Sequence, residues 1–324
     1  MKKYIFALVI FFLTLYIYVS YIQKRSLSSF LIEKYFYITN AKKYFEYRSE
    51  DELKKLLDES MKNTDKRYVP TKISYEIEDK DLHNMQVLVW NDKKDKNQKV
   101  IFYLHGGTYI NNLGAYHFKA LDNISKKADA KVILPIYKKA PRYRYKDAIK
   151  ELLQLYNTVL QETNAENISI MGDSAGGGLA LALAFEIRDN NLEKAKNLIL
   201  LSPFLDVNLD NEMITEYEKK DSFLSSWLAR EVGKIWSEND TKNPLVSPIY
   251  GHFDNLSKMY IFTGTHDILY PDILKFSKIL KENNIEHELI TKDKMNHVYV
   301  VYPIPEAVQA QDMIYKIISE KGVY

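Results

Sequence analysis

Residues 167–182 read Asn-Ile-Ser-Ile-Met-Gly-Asp-Ser-Ala-Gly-Gly-Gly-Leu-Ala-Leu-Ala, and this stretch is the most informative in the chain. The apolar run from Ile168 to Met171 predicts a short buried strand, and the alanine- and leucine-rich run after the glycines predicts a helix. Between them, Gly172-Asp-Ser-Ala-Gly176 matches the pattern G-x-S-x-G. The glycines let strand and helix approach each other without Cβ clashes. We therefore predict that Ser174 lies on a strained strand-to-helix turn, its hydroxyl exposed beside the helix N-terminus.

Length and composition limit the classes of protein to which the chain can belong. Its 324 residues suffice for one large α/β domain or two smaller ones. Lys and Arg number 45 against 43 Asp and Glu, and this nearly neutral balance does not favour a nucleic-acid partner. The absence of cysteine excludes disulfides, zinc–thiolate sites and a thiol nucleophile. We expect neither a cofactor nor a bound metal.

Residues 4–22 contain no charged side chain and would span about 28 Å as a helix, close to the thickness of the hydrocarbon core of a bilayer. A cleaved signal peptide has a shorter apolar region and small residues at the cut, whereas Tyr18-Val-Ser-Tyr-Ile22 is bulky. We therefore predict an uncleaved, single-pass transmembrane anchor over 4–22, with a cleaved leader as the alternative. Residues 1–3, with two lysines and the free amine, predict a cytoplasmic tail and an extracytoplasmic main domain.

Residues 23–70 are amphipathic and rich in aromatic side chains, and they predict a helical cap or linker. Ser49-Glu-Asp-Glu52 resembles a capping box. The apolar residues that follow it lie on one face of a helix, namely Leu53, Leu56, Leu57 and Met61. A helix that packs on the main domain is the simple interpretation, and a flap over an active site is the second.

Residues 71–324 alternate between strand and helix patterns. The predicted strands cover 72–77, 85–90, 99–104, 132–135, 168–171, 198–201, 259–263 and 287–291. The predicted helices cover 116–127, 147–160, the run after Ser174, 271–281 and 306–319. This alternation predicts an α/β domain with a mostly parallel central sheet and helices on both faces.

Three predicted loops at the carboxyl ends of strands carry reactive residues, and sites gather at these ends in such sheets. Ser174 follows one strand, Asp267 follows the strand 259–263, and His297 follows the last strand. A serine needs a base to become a nucleophile, and the base needs a carboxylate that fixes its tautomer. The order Ser, Asp, His is the one expected for a serine on such a turn. We predict that these three residues form a catalytic triad.

Other residues compete for two of these roles. Of the seven histidines, His297 alone lies in a late strand-to-helix loop. Asp272 and Asp293 are alternatives to Asp267, although Asp272 lies in the predicted first turn of a helix, where a carboxylate has an ordinary dipole role. The alternative interpretation of the motif around Ser174 is a glycine-rich loop that caps a helix and has no catalytic role.

His105-Gly-Gly107 follows the predicted strand 99–104 and supplies the remaining part of such a site. Attack on a carbonyl creates an oxyanion, which needs preorganised donors. Because glycine lets the main chain curl tightly, the N–H groups of Gly106 and Gly107 can converge with that of Ala175. We predict that these three residues form an oxyanion hole.

The motifs together resemble those of a known family. From about Lys99 to the C-terminus, the chain resembles the hormone-sensitive-lipase group of α/β-hydrolases, which contains bacterial acetylesterases and carboxylesterases. Besides the motifs at His105 and Gly172, the matching segments are Tyr137-Lys-Lys-Ala-Pro141, Leu201-Ser-Pro-Phe-Leu-Asp206, Ser247-Pro248 and Gly264-Thr-His-Asp267. The resemblance implies an α/β-hydrolase fold in which Ser174 is the nucleophile, His297 the base and Asp267 the orienting acid, with the oxyanion donors named above.

Two positions depart from the family pattern. Thr108 stands where many members have a third glycine, and Arg142 stands where a glutamate is usual. In the family, a segment equivalent to the insertion at about 206–243 joins the N-terminal helices as a cap that shapes the acyl pocket. Here the insertion has apolar residues at helical spacing, namely Trp227, Leu228, Val232, Ile235 and Trp236. A simple surface helix is the alternative interpretation of that spacing.

The resemblance implies serine-dependent hydrolysis of short-chain, acetyl-type carboxylic esters through an acyl-enzyme intermediate. An amidase or formamidase would use the same triad and differ in its pocket. A non-catalytic binding protein on a hydrolase scaffold is a further class, whose usual mark is the loss of a triad residue. The expected partners are therefore a small-molecule ester and, through residues 4–22, a cell membrane.

Overall fold

The computed structural model describes residues 2–64 and 66–320, and it begins with a long apolar helix. This helix, α1 (Lys2–Ile17), continues into a π-helical turn, Tyr18–Ile22. The segment Lys3–Ile22 has a mean hydropathy of 2.4 and is long and apolar enough to cross a membrane. Of the predicted tail 1–3, residue 1 lies outside the described residues. The other two residues belong to the first turn of α1.

Helical segments follow the apolar helix, as the sequence predicts. They are α2 (Leu27–Thr39), a 3-10 turn (Ala41–Tyr44) and α3 (Glu50–Thr64). The capping box at the start of α3 forms, because the Ser49 N–H donates to the Glu52 carboxylate at 3.0 Å and the Glu52 N–H donates to the Ser49 hydroxyl at 3.4 Å. Leu53, Leu56 and Leu57 then pack against the core of the main domain.

In the part of the chain that the structure describes, eight strands form one sheet in the order β1-β2-β4-β3-β5-β6-β7-β8. They are β1 (Glu78–Leu82), β2 (Met85–Trp90), β3 (Val100–Leu104), β4 (Lys131–Ile136), β5 (Ile168–Asp173), β6 (Asn197–Leu201), β7 (Lys258–His266) and β8 (His287–Asn296). β1 and β2 are antiparallel to their neighbours, and every other pair is parallel. The predicted α/β fold with a mostly parallel sheet is confirmed.

Helices cover both faces of this sheet. They are α4 (Ala115–Ala128), α5 (Tyr145–Glu162), α6 (Ala175–Asp189), α7 (Ile214–Lys220), α8 (Ser226–Trp236), α9 (Tyr270–Glu282) and α10 (Pro305–Ile318). Side chains of β2 alternate between two cores, since Val87 and Val89 face α5, α6 and α9, whereas Leu88 and Trp90 face α4 and α10. Burial on both sides explains why the central strands read as nearly continuous apolar runs.

The predicted strand at 72–77 is wrong. Its alternating apolar side chains, Ile73, Tyr75 and Ile77, pack half-buried against the α4 and α10 core, but their backbone joins no strand. The edge position beside β2 is taken by β1, which is joined to it by a tight turn at His83-Asn84. Both turn residues have positive φ, 50° and 58°, as the favoured two-residue hairpin turns require.

β7 and β8 extend further than predicted. They run to His266 and Asn296, so parts of the two predicted loops are paired strands with an irregular register. Gly264 allows this close pairing, because a Cβ there would lie 2.1 Å from a backbone oxygen of the neighbouring strand. As a result, Asp267 and His297 each follow directly after a paired strand end.

The glycine that separates α6 from the end of β3 provides a test of this packing. A Cβ on Gly176 would lie 2.1 Å from the Leu104 carbonyl oxygen, whereas a Cβ on Gly114 would meet nothing within 4 Å. We expect Gly176→Ala to lower the free energy of unfolding by about 2–3 kcal/mol or more, since a backbone atom must shift. Gly114→Ala should change it by less than about 1 kcal/mol. Denaturant unfolding measures both, and equal values would contradict this packing.

Candidate active site

Ser174 lies at the turn where β5 becomes α6, with φ 52° and ψ −123°. A non-glycine residue in this region costs about 1–3 kcal/mol and persists only where its surroundings enforce it. Here the Ser174 N–H donates to the Leu201 carbonyl of the neighbouring strand at 2.9 Å, and its own carbonyl accepts bonds from the first turn of α6. Gly172 must lack a side chain, because its Cβ would lie 2.3 Å from the Gly176 carbonyl oxygen. These contacts hold the strained turn in place.

Asp267 and His297 meet beside this turn. The Nδ1 atom of His297 lies 3.1 and 3.0 Å from the two carboxylate oxygens of Asp267, and both residues are buried. A carboxylate at Nδ1 favours the tautomer that carries its proton there, which leaves Nε2 free to act as a base. Ser174 and His297 line the same cavity.

The structure places the two alternative acids elsewhere. Asp272 is buried in α9, where one carboxylate oxygen accepts a bond from Asn211 at 3.0 Å. Asp293 is exposed and accepts a bond from the Thr265 hydroxyl at 2.8 Å. Neither carboxylate has a hydrogen bond or ion pair with His297 among the described residues.

The buried imidazole of His297 lies in an acidic environment. Burial is the largest single influence and by itself would lower its pKa. The charge and hydrogen bond of Asp267, together with the charges of Asp221 and Asp173, outweigh burial and raise the pKa of His297. These carboxylates therefore favour the imidazolium, the form that the base takes after it accepts a proton.

Asp221 is a residue that the sequence analysis missed. It is fully buried, and its carboxylate accepts bonds from the N–H groups of Ile268 at 2.9 Å, Phe223 at 2.7 Å and Leu224 at 2.8 Å. Burial, and next the charge of Asp267, raise the pKa of Asp221 to about 6. Along the sequence it follows two lysines in a polar insertion and is indistinguishable from a solvated turn residue.

The loop after β3 departs from the predicted set of oxyanion donors. The Gly106 N–H already donates to Asp173 Oδ1 at 2.9 Å, so it is not directed at the serine. Among the described residues, the N–H groups of Gly107, Thr108 and Ala175 have no protein acceptor. Gly107 has φ 117° and Thr108 has φ 54°, a conformation that is a strained outlier for a β-branched residue.

Asp173, the residue before the nucleophile, ties the two loops together. Besides the Gly106 N–H, its carboxylate accepts a bond from the Tyr103 hydroxyl at 2.6 Å and lies 3.3 Å from Nε2 of His117. Burial would raise the pKa of Asp173, but the charge of His117 and these hydrogen bonds outweigh it and lower the pKa. His105 beneath the loop is buried and stacked on the Tyr137 ring, and burial lowers its pKa to about 3. His105 is therefore a neutral packing residue.

The cavity that contains Ser174 has a volume of about 530 Å³. One side of the cavity is formed by Ser174, His297 and the loop at Gly107. The other side is formed by two parts of the chain that are distant in sequence. Phe36 and Phe45 belong to the N-terminal segment, and Phe223 belongs to the insertion. The ring centroid of Phe223 lies 5.1 Å from that of Phe36 and 5.4 Å from that of Phe45. The Leu228 N–H also donates to the Phe45 carbonyl at 3.1 Å. No group of three His, Asp or Glu side chains that could hold a metal occurs within residues 2–64 and 66–320.

A family model of the α/β-hydrolase fold matches residues 101–301. The chain therefore belongs to the α/β-hydrolase fold family. An esterase from Acinetobacter venetianus is 28% identical over 191 residues, which cover 58% of this chain and 63% of that relative. The match thus spans less than two thirds of the relative's length.

Solved structures share this fold. A Staphylococcus aureus protein provisionally described as an esterase is 27% identical, has a TM-score of 0.80, and is matched over 83% of this chain and 93% of its own. An esterase from the bacterial hormone-sensitive lipase family shares the fold at 20% identity, with a TM-score of 0.73 and coverage of 85% and 99%. The resemblance to the hormone-sensitive-lipase group is confirmed.

The second buried carboxylate provides a test of the electrostatics. Since the charge of Asp221 helps to raise the pKa of His297, we expect Asp221→Asn to lower that pKa. Asp293→Asn is the matched control, because this carboxylate is exposed and makes its hydrogen bond with Thr265 and not with His297. NMR titration of the imidazole nitrogens, with the His297 signal assigned from a His297→Gln spectrum, measures both. An unchanged pKa in Asp221→Asn would refute the electrostatic role.

Proposed function

We propose that this protein is a serine carboxylesterase that hydrolyses short-chain, acetyl-type esters through an acyl-enzyme intermediate. The observation that carries the proposal is the buried Asp267–His297 pair, whose imidazole lines the same cavity as the strained Ser174. Ester-hydrolysing relatives in the same fold family support it.

In the proposed mechanism, His297 Nε2 takes the proton of Ser174 while the serine oxygen attacks the ester carbonyl carbon. Asp267 keeps the imidazole in the required tautomer and stabilises the imidazolium. The imidazolium then gives its proton to the leaving alcohol as the carbon–oxygen bond of the ester breaks. Water, deprotonated by the same imidazole, cleaves the acyl-enzyme and releases the carboxylic acid.

We assign the oxyanion donors to the N–H groups of Gly107, Thr108 and Ala175. Two of the sequence-predicted donors, Gly107 and Ala175, stay in the set. Gly106 is replaced, because its N–H holds the loop to Asp173. Thr108 takes the place of Gly106 in the set, at a positive φ that a glycine would adopt without strain. A strained residue at such a point is consistent with a role in holding donors in place.

The N-terminal segment 4–22 is proposed to anchor the enzyme in the cell membrane, with the catalytic domain on the extracytoplasmic side. The hydropathy and length of Lys3–Ile22 support a membrane-crossing helix. The basic residues at its start support an inside location of the N-terminus.

The nucleophile assignment is tested with the full-length protein in detergent. We expect the wild type to hydrolyse p-nitrophenyl acetate and Ser174→Ala to lose about 10⁴-fold or more in kcat, since no other group can form the acyl-enzyme. A fluorophosphonate should label Ser174, as located by peptide mass spectrometry. Matched controls are the hydroxyls of Ser202 and Ser222, which should stay unlabelled. Activity that persists in Ser174→Ala would overturn the assignment.

The acid assignment is tested by comparing two buried carboxylates. Asp267→Asn should keep the fold yet lower kcat by about 10⁴, because the imidazole would adopt the wrong tautomer. Asp272→Asn should change kcat only a few-fold, since its carboxylate faces Asn211 and not His297. Circular dichroism verifies that both variants are folded. A larger loss in Asp272→Asn than in Asp267→Asn would transfer the acid role.

A further inference from the structure

The apolar helix α1 is joined to the main domain without a flexible linker. Arg25, three residues after the last π-helical residue Ile22, is already buried. Its guanidinium donates to Glu33 at 2.5 Å and to the Lys294 carbonyl at 3.2 Å. The Lys294 ammonium in turn donates to the Gln23 carbonyl at 3.1 Å. α1 therefore leaves the domain from a fixed point.

This fixed point lies beside the candidate triad. Glu33 Oε2 is 3.0 Å from Nδ1 of His266, the residue before Asp267. Lys294 precedes His297 by three residues on the neighbouring strand. Burial would raise the pKa of Glu33, but its hydrogen bonds with His266 and Arg25 lower the pKa to about 2, so the contact stays ionised at neutral pH. A membrane crossed by α1 would lie close to this edge of the sheet.

α2, which begins two residues after Arg25, has an apolar face without a protein partner among the described residues. Leu31, Tyr35 and Ile38 are 51, 61 and 84% exposed, and their spacing places them on one side of the helix. The opposite side carries Glu33, which is buried, and Phe36, whose ring lines the cavity that contains Ser174. α2 thus carries apolar side chains on its outer side as well as toward the protein.

The composition of this segment is that of a membrane–water interface. Residues 23–48 contain six basic and two acidic side chains, together with seven aromatic ones. Aromatic rings are enriched at the headgroup level, and basic residues are attracted to anionic lipids there. The direct continuity with α1 selects the bilayer as the occupant of the exposed face, rather than a second copy or a soluble protein.

The same segment forms the mouth of the cavity. Tyr44 and Tyr116 line the cavity and are 37 and 47% exposed, so they lie at its rim. Ala41 lines the cavity between α2 and this rim. An apolar molecule lying against α2 is therefore within a short distance of the entrance to the site.

We propose that the exposed face of α2 lies in the headgroup region of the membrane that α1 spans, and that the substrate is a short-acyl ester of an amphiphilic alcohol resident in that membrane. The acyl group enters the cavity past Tyr44 and Tyr116, while the apolar part of the alcohol remains in the bilayer. This inference rests on the proposed esterase function and adds the substrate class. The hydrolysis itself is the one described above.

The location of α2 can be tested without any activity. Because the chain contains no cysteine, Ile38→Cys in the full-length protein can be labelled at one position with an environment-sensitive fluorophore. Val308→Cys on α10, 46% exposed, is the matched control. In vesicles of phosphatidylcholine and phosphatidylglycerol, we expect a lipid-attached nitroxide to quench the probe at 38 and aqueous iodide to quench the probe at 308.

Two results of this experiment would overturn the location. One is equal accessibility of both probes to iodide, which would show that α2 faces water. The other is a probe at 38 that is shielded from iodide yet not quenched by the lipid nitroxide, which would show that a protein surface covers it.

The substrate class is tested with hexadecyl acetate in the same vesicles and p-nitrophenyl acetate in the water phase. In the variant Leu31→Ser/Tyr35→Ser/Ile38→Ser, the rate of hydrolysis of hexadecyl acetate should fall about tenfold or more, while the rate on p-nitrophenyl acetate should stay unchanged. Met213→Ser/Val308→Ser, two exposed apolar residues outside α2, should leave both rates unchanged. Equal rates of variant and wild type on hexadecyl acetate would refute the substrate class. A wild type inactive on both esters would instead refute the proposed function, and the fluorescence result would stand by itself.

Discussion

The backbone contact between Ser174 and the two strands beside it is the constraint on which the site depends. At φ 52° the serine is strained, and the bond from its N–H to Leu201 together with the glycine-lined approach of α6 to β3 prevents relaxation. The strain is small compared with the packing around it, since the strands and α6 are buried on both sides. The fold therefore supplies an exposed hydroxyl at a position that a relaxed turn would not provide.

Three buried carboxylates act on this position from different elements. Asp173 holds the loop at Gly106 to the turn, Asp267 contacts the imidazole of His297, and the charge of Asp221 in the insertion helps to raise the pKa of His297. Each of the three carboxylates is buried and accepts at least one hydrogen bond from a backbone N–H group. Asp221 belongs to the insertion that also lines the cavity. The pKa of His297 and the shape of the cavity therefore depend on the same segment. A change in the position of that segment would alter both.

The N-terminal segment is coupled to the same region. Arg25, Glu33 and His266 form a chain of charge-assisted contacts that ends next to Asp267, and in it Arg25 and Glu33 are buried whereas His266 is partly exposed. α2 then crosses the cavity and meets the insertion through Phe36 and Phe223. The segment that follows a candidate membrane helix thus also lines the cavity that contains Ser174. In our proposal, membrane anchoring and substrate access depend on one continuous stretch of chain.

Local sequence patterns were sufficient for the strand-to-helix turn at Ser174, the mostly parallel sheet and the capping box at Ser49, because each depends on residues within a few positions of one another. Periodicity failed at 72–77, where side-chain packing without strand pairing produces the same alternation. The predicted ends of β7 and β8 were also too early, because the pairing of these strands depends on a contact between Gly264 and Met295. The engagement of Gly106 by Asp173 and the burial of Asp221 beside Asp267 were decided by the tertiary structure alone. A hydrogen bond or a charge interaction between residues more than forty positions apart leaves no periodic trace in the sequence.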